Sequence, residues 1–209
     1  MRIDKKIMDM SFAGILTAII VLMAVVPFLG YIPLGFMSAT IIHVPVIVGA
    51  LLLGPKYGIY LGTVFGVTSL IQATVRPGIT SFVFSPFVTI GGCHGNMWSA
   101  VIALVPRALI GVSAYYVYEL VMKLMSHKKG SQTIALWLAG IAGSMTNTIL
   151  VMNGIYIFFG SSYAAASNQL VERIYDVILG VIVTFGIPEA VIAGILTTAI
   201  VKILFRIRG

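Results

Sequence analysis

The sequence predicts an all-α membrane protein: a bundle of six transmembrane helices with both termini cytoplasmic, forming one integral-membrane domain over residues 1-209. Three observations carry this. Hydrophobic residues make up 59% of the chain and charged residues 9%, against about 45–50% and about 25% in soluble domains. The apolar residues fall into six runs of membrane-spanning character, divided by turn signals. The basic residues cluster between those runs, and ten of the 13 fall on one side.

The same figures exclude other classes. With 13 basic and 6 acidic side chains the chain cannot clothe a soluble body of 22.4 kDa. It is also too apolar to be disordered. A net charge of +7 raises nucleic acid as a partner. The basic residues form no continuous polar face, however, so nucleic acid is set aside. The single Cys93 forbids an internal disulfide.

The elements follow in order. Arg2, Lys5 and Lys6 precede an apolar run from Phe12 to Val26 that has the n- and h-region pattern of a signal peptide. It is followed by Pro27-Phe28-Leu29-Gly30 rather than a small-x-small cleavage site, so it is read as a retained first helix, Ser11 to about Leu29. The second run is Phe36–Leu53 and the third is Tyr57–Ile71. Gly54-Pro55-Lys56-Tyr57-Gly58 between them allows only a tight reversal. Thr74–Asn96 carries Pro77, Pro86 and several glycines yet stays apolar through Phe82, Phe84, Phe87 and Val88; it reads as an ordered, partly buried loop. The fourth run is Met97–Met125 and the fifth is Ile134–Phe159. Ser161–Asp176 is the last connection, and the sixth run, Val177–Phe205, holds Pro188-Glu189 inside it. Membrane β-strands alternate in polarity. Segments such as Ile41–Leu53 are apolar throughout, so a strand reading fails.

An even number of spans places Arg2, Lys5, Lys6, Lys56, Lys123, Lys128, Lys129, Lys202, Arg206 and Arg208 together, against Arg76 and Arg173 on the other side. The positive-inside rule makes the first side cytoplasmic.

The chemistry is sparse. No GxxxxGK[ST] loop occurs, and Gly91-Gly92-Cys93-His94-Gly95-Asn96 lacks the lysine, so ATP is not bound in the P-loop manner. No cofactor is expected, and no catalytic residue. His43, His94 and Cys93 are too scattered to suggest a metal site. An ionisable group inside a span costs roughly 2.5–3.5 kcal/mol and therefore faces a cavity or a partner. Arg107 lies near the midplane, ~16 Å into the fourth helix, and Asn147 lies ~22 Å from the cytoplasmic end of the fifth. Glu189 lies ~20 Å down the sixth helix, below the midplane. Thr40 and His43 on the second helix, Gln72 and Asn153 belong to the outer half.

Two readings fit these residues: an outward-facing pocket for a small solute with Arg107 as its cationic centre, and a structural Arg107–Glu189 ion pair. The pocket reading takes Arg107, Asn147, His43, Gln72, Asn153, Phe82, Phe84, Phe87 and Trp98 as contacts, with Asn153 at the rim. Small residues recur at four-residue spacing: Gly58, Gly62 and Gly66; Gly140 and Ser144; Gly186, Ala190 and Gly194. These suit close helix packing. A further stripe, Ala13, Gly14, Thr17 and Ala18, lies in the cytoplasmic half of the first helix and is expected to face outward as a partner-docking surface.

The turn Leu52-Leu53-Gly54-Pro55-Lys56-Tyr57-Gly58 feeding a glycine-rich helix resembles the substrate-binding S components of energy-coupling factor (ECF) vitamin transporters. So do the six-span layout, the small-residue stripe and the length. Ile32-Pro33-Leu34-Gly35, Ser81-Phe82-Val83-Phe84-Ser85-Pro86 and Val105-Pro106-Arg107 look most like the pantothenate-specific branch. The resemblance implies a multi-pass subunit of a bacterial cell membrane that captures a vitamin from outside. It would pass the vitamin on by docking to a transmembrane coupling protein driven by two ABC-type ATPases, which would bind the ATP. Pantothenate is a small anion with hydroxyls and an amide, which suits one Arg among polar neighbours. Nickel and cobalt S components carry histidine after the initiator Met, where Arg2 stands here. Alternatives are an S component for another vitamin or precursor, such as hydroxymethylpyrimidine or thiamine, an ion-coupled secondary carrier, and a non-transporting assembly factor. The carrier would need more intramembrane carboxylates and usually inverted repeats.

Overall fold

The computed structural model describes residues 5–26, 29–34, 37–125, 130–167 and 169–208. Arg2, Pro27, Phe28, Gly35, Phe36, Lys128 and Lys129, used in the readings above, lie outside the described residues. Helix α1 is Lys5–Val25, α2 His43–Leu53, α3 Pro55–Val75, α4 Met97–Leu124 and α5 Ser131–Ala166. A last helical run consists of α6, Ile174–Val181, a π-helical turn at Ile182–Gly186, and α7, Ile187–Arg208. Among the described residues, five segments are long and apolar enough to cross a membrane: α1, α3, α4, α5 and Val171–Ile207. The protein is a helical, multi-pass membrane bundle.

The second run departs from expectation. Its helix has only 11 residues, about 16 Å and half of a ~30 Å hydrocarbon core. Ahead of it, β1 (Tyr31–Leu34) and β2 (Met37–Thr40) form an antiparallel hairpin with Tyr31 opposite Thr40. Extended backbone inside a membrane protein must find its hydrogen bonds within the protein. The hairpin supplies them internally, which an apolarity count does not detect. Thr40 and His43 therefore leave the outer half, where sequence reasoning put them, and sit where α2 begins, about half a bilayer from the Gly54 turn. That turn is a tight reversal, as expected. Gly54 adopts φ 99°, a left-handed conformation open to glycine, and its N–H donates to Ala50 O at 2.9 Å. Pro55 then opens α3 at a position that needs no N–H.

Glycines bring the helices into backbone contact. A Cβ at Gly62 would lie 2.1 Å from the carbonyl oxygen of Arg107, and one at Gly140 would lie 2.6 Å from the Cα of Gly194. The first contact clamps α3 to α4 and the second clamps α5 to α7. Two apolar clusters result. Leu16, Ile20, Ile47, Leu61, Ile110 and Leu136 fill the half toward Gly54. Phe82, Ile102, Met152, Ile155, Phe159 and Tyr163 fill the other half.

The segment between α3 and α4 is ordered. A 3-10 turn, Ser81–Val83, is buried, and β3 (Thr89–Ile90) pairs with β4 (Cys93–His94). Ser99 Oγ donates to Phe82 O at 2.7 Å, and Thr74 Oγ1 and Ser85 Oγ share a 2.7 Å hydrogen bond. Two boundaries need correction at the same end. Helical geometry breaks at Phe159 (φ −135°, ψ 15°), the expected end of the fifth span, but α5 resumes and runs to Ala166. The expected connection Ser161–Asp176 is thus partly helical at both ends.

Candidate ligand-binding site

Arg107 stands on α4 between Ile102 and Ile110, at the junction of the two clusters, and is 6% exposed. Its neighbour in sequence explains how it is held. Pro106 has no N–H, so the carbonyl of Ile102, four residues back, loses its helical partner. The Nη1 of Arg107 donates to that carbonyl. The guanidinium carbon lies 5.0 Å from the centroid of the Phe84 ring and 5.7 Å from that of Phe65. Cation–π attraction over two rings helps to keep the charge in a dry site. The Pro106-Arg107 pair is thus a local device: the proline frees an acceptor and the arginine is anchored by it.

A second polar group lies across the bundle. Glu189 Oε1 accepts from the backbone N–H of Thr40 at 3.0 Å and stands 3.6 Å from His43 Nδ1. Thr40, His43, Glu189 and Thr184 line a cavity of ≈ 230 Å³, whose other walls include Ile41, Phe185 and Ile192. The π-helical turn belongs to this wall. Pro188 cannot donate to the carbonyl of Thr184, and just before it the N–H of Ile187 reaches Ile182 O, five residues back.

Several polar atoms around this region are buried without a hydrogen-bond partner among the described residues: both ring nitrogens of His43, Asn147 Oδ1, Ser144 Oγ and Thr197 Oγ1. Each such atom costs roughly 1–3 kcal/mol unless a guest supplies the missing hydrogen bond, and of their residues His43 lines the cavity. Their levels agree with one another. The side chain of Ile47 meets Gly143. One turn from that layer, toward the loop end, lie His43 on α2 and Asn147 on α5.

The remaining candidates are distributed differently. Phe84 sits over Arg107, but Phe82 is fully buried edge-on against Phe159, and Phe87 is 79% exposed. Trp98 is exposed and stacks on Phe158 with ring centroids 4.0 Å apart. Gln72 Nε2 donates to Ala24 O at 2.7 Å, tying α3 to the end of α1. Asn153 Nδ2 is turned back onto Ile149 O of its own helix. The structure therefore pairs Arg107 with Phe84, sets His43 in the cavity wall with Asn147 at its level on α5, and gives Phe82, Phe87, Trp98, Gln72 and Asn153 other surroundings. It adds Glu189, Thr40 and Thr184. A carboxylate beside a proline within a span was the available sign of Glu189, but sequence reasoning placed it below the midplane and weighed it only as an ion-pair partner of Arg107. His94 hydrogen-bonds Thr89 at 3.0 Å and Cys93 donates to Ser162 O, both far in the fold from His43.

The stripe on α1 divides. A side chain at Gly14 would meet nothing within 4 Å, and Ala18 is exposed. Ala13 is 5% exposed and faces the bundle, while Thr17 is half-buried with Oγ1 3.4 Å from the Tyr60 hydroxyl. A helix has one lipid-facing side, and adjacent four-residue rows cannot both occupy it here because Leu16 and Ile20 carry the Ala13 row inward.

The sequence has known counterparts. The family model for the substrate-specific component of ECF transporters matches residues 9–201. The pantothenic acid transporter PanT of Lactococcus lactis subsp. cremoris is 40% identical over 171 residues, 81% of this chain and 79% of that protein. The pantothenate transporter PanT of Leuconostoc mesenteroides subsp. mesenteroides is 29% identical over 197 residues, 91% of this chain and 88% of that protein.

Proposed function

The chain belongs to the substrate-specific components of ECF transporters, and from that membership we propose that it is the membrane subunit that captures pantothenate from outside the cell. The observation that carries this reading is the buried guanidinium of Arg107, anchored by the Ile102 carbonyl in a bundle that also encloses a polar-edged cavity. The role is transport rather than catalysis.

In this reading Arg107 takes the carboxylate of the vitamin through charge-assisted hydrogen bonds, with Phe84 shielding the pair from water. Asn147, whose Oδ1 has no described partner, bonds the amide. For Asn147 Oδ1 the guest supplies a hydrogen bond that the described residues do not.

The topology proposed is six crossings with both termini cytoplasmic, the hairpin and α2 together making the second. The ten-to-two division of basic residues supports it. The coupling partner would be a transmembrane protein that docks against α1 at Gly14 and Ala18, and two ATPases bound to that protein would supply the energy. A thermal-shift panel of water-soluble vitamins and precursors on the purified protein tests the reading. Pantothenate at 100 times its Kd should raise stability by ~2.7 kcal/mol. A shift with thiamine or hydroxymethylpyrimidine instead would reassign the substrate, and no shift with any vitamin would refute the capture role.

A further inference from the structure

We infer that Glu189 and His43 form a hydroxyl-reading subsite, and that the cavity they line seats the branched, hydroxylated end of the ligand, opposite to the carboxylate held by Arg107. This rests on the pantothenate reading and adds the ligand's orientation and two specificity-determining residues.

Four observations lead there. Glu189 lines the cavity and is positioned by the backbone: its Oε1 takes the Thr40 N–H at 3.0 Å. His43 is 1% exposed, lines the same cavity, and neither ring nitrogen has a partner. Its Nδ1 is 3.6 Å from Glu189 Oε1, longer than a hydrogen bond. The remaining walls are mostly apolar, including Ile41, Phe185 and Ile192, with the hydroxyl-bearing Thr184 among them.

The chemistry of such a wall selects its guest. A carboxylate oxygen accepts hydrogen bonds and repels a second anion, so it reads hydroxyls and turns away a ligand's acidic end. An imidazole nitrogen completes the pair by donating to, or accepting from, the same group. The apolar walls suit a carbon bearing methyl groups. Pantothenate has this division: a dimethylated, dihydroxylated acyl group at one end and a carboxylate at the other, with an amide between. Arg107 and Glu189 thus define the two ends of the site and fix which way the molecule lies.

The experiment compares three ligands on purified protein by calorimetry: pantothenate, its analogue without the secondary hydroxyl, and pantothenyl alcohol, in which the carboxylate is a primary alcohol. Glu189→Gln keeps an oxygen for the Thr40 N–H but offers an amide to the ligand. It should weaken pantothenate and pantothenyl alcohol by the same factor, about tenfold or more, and hardly change the deoxy analogue. His43→Phe should show the same ligand pattern in a protein at least as thermally stable as the parent, because it removes two unpartnered buried nitrogens. A uniform loss over all three ligands in both variants, or unchanged pantothenate affinity in both, would overturn the subsite. Failure of the parent protein to bind pantothenate at all is a separate result, and it would overturn the capture reading together with this one.

Discussion

Replacing Arg107 removes two things at once, and the structure shows how to separate them. In Arg107→Ala the ligand loses charge-assisted hydrogen bonds worth ~1.5–3 kcal/mol, or roughly 10- to 150-fold in affinity. The protein also loses its own contacts. The Ile102 carbonyl, already deprived of a backbone donor by Pro106, is left without the Nη1 donor, at a cost of roughly 1–3 kcal/mol. The Phe84 and Phe65 rings lose their cation, worth about 0.5–2 kcal/mol. Pro106→Ala restores a backbone N–H four residues from Ile102. The double variant Pro106→Ala/Arg107→Ala should therefore recover part of the thermal stability lost in Arg107→Ala and none of the ligand affinity. Arg107→Lys should recover affinity only in part, because an ammonium offers no planar fork. Calorimetric titration with pantothenate and thermal unfolding of each variant in detergent give both numbers. Recovery of affinity in the double variant would refute the reasoning, since Arg107 would then act through the helix and not on the ligand.

Three other outcomes are expected. Gly62→Ala should destabilise the bundle and loosen ligand binding, because its methyl group would sit 2.1 Å from the Arg107 carbonyl oxygen and force α3 off α4 beneath the site; thermal unfolding and titration of the same sample check it. Gly14→Leu and Ala18→Trp should leave ligand affinity in detergent unchanged and abolish uptake in vesicles holding the complete transporter, whereas Ala13→Leu, at a 5% exposed position, should lower thermal stability instead. In a Cys93→Ala background, Ser162→Cys near the end of α5 should react with an impermeant thiol reagent added outside intact cells; labelling only after the membrane is opened would reverse the proposed orientation.

The class of this protein was legible without any structure, because transfer of a side chain to lipid is a local property that adds along the chain. Hydropathy marked the span regions, and the end of α2 at Leu53 and the start of α4 at Met97 were placed to the residue, while α3 begins at Pro55, two residues before the expected Tyr57. Family membership was legible for a similar reason, since it rests on short blocks read in order. The Pro106-Arg107 device was also within reach, because the partner carbonyl is only five residues from the arginine. Only the tertiary structure decided which polar groups share a cavity. Thr40 and Glu189 are 149 residues apart, and their contact depends on a hairpin that shortens α2 and on glycines that set how closely the helices approach. Depth counted along an assumed straight span cannot supply that, because a hairpin and a helix of equal apolarity advance through the membrane by different amounts per residue.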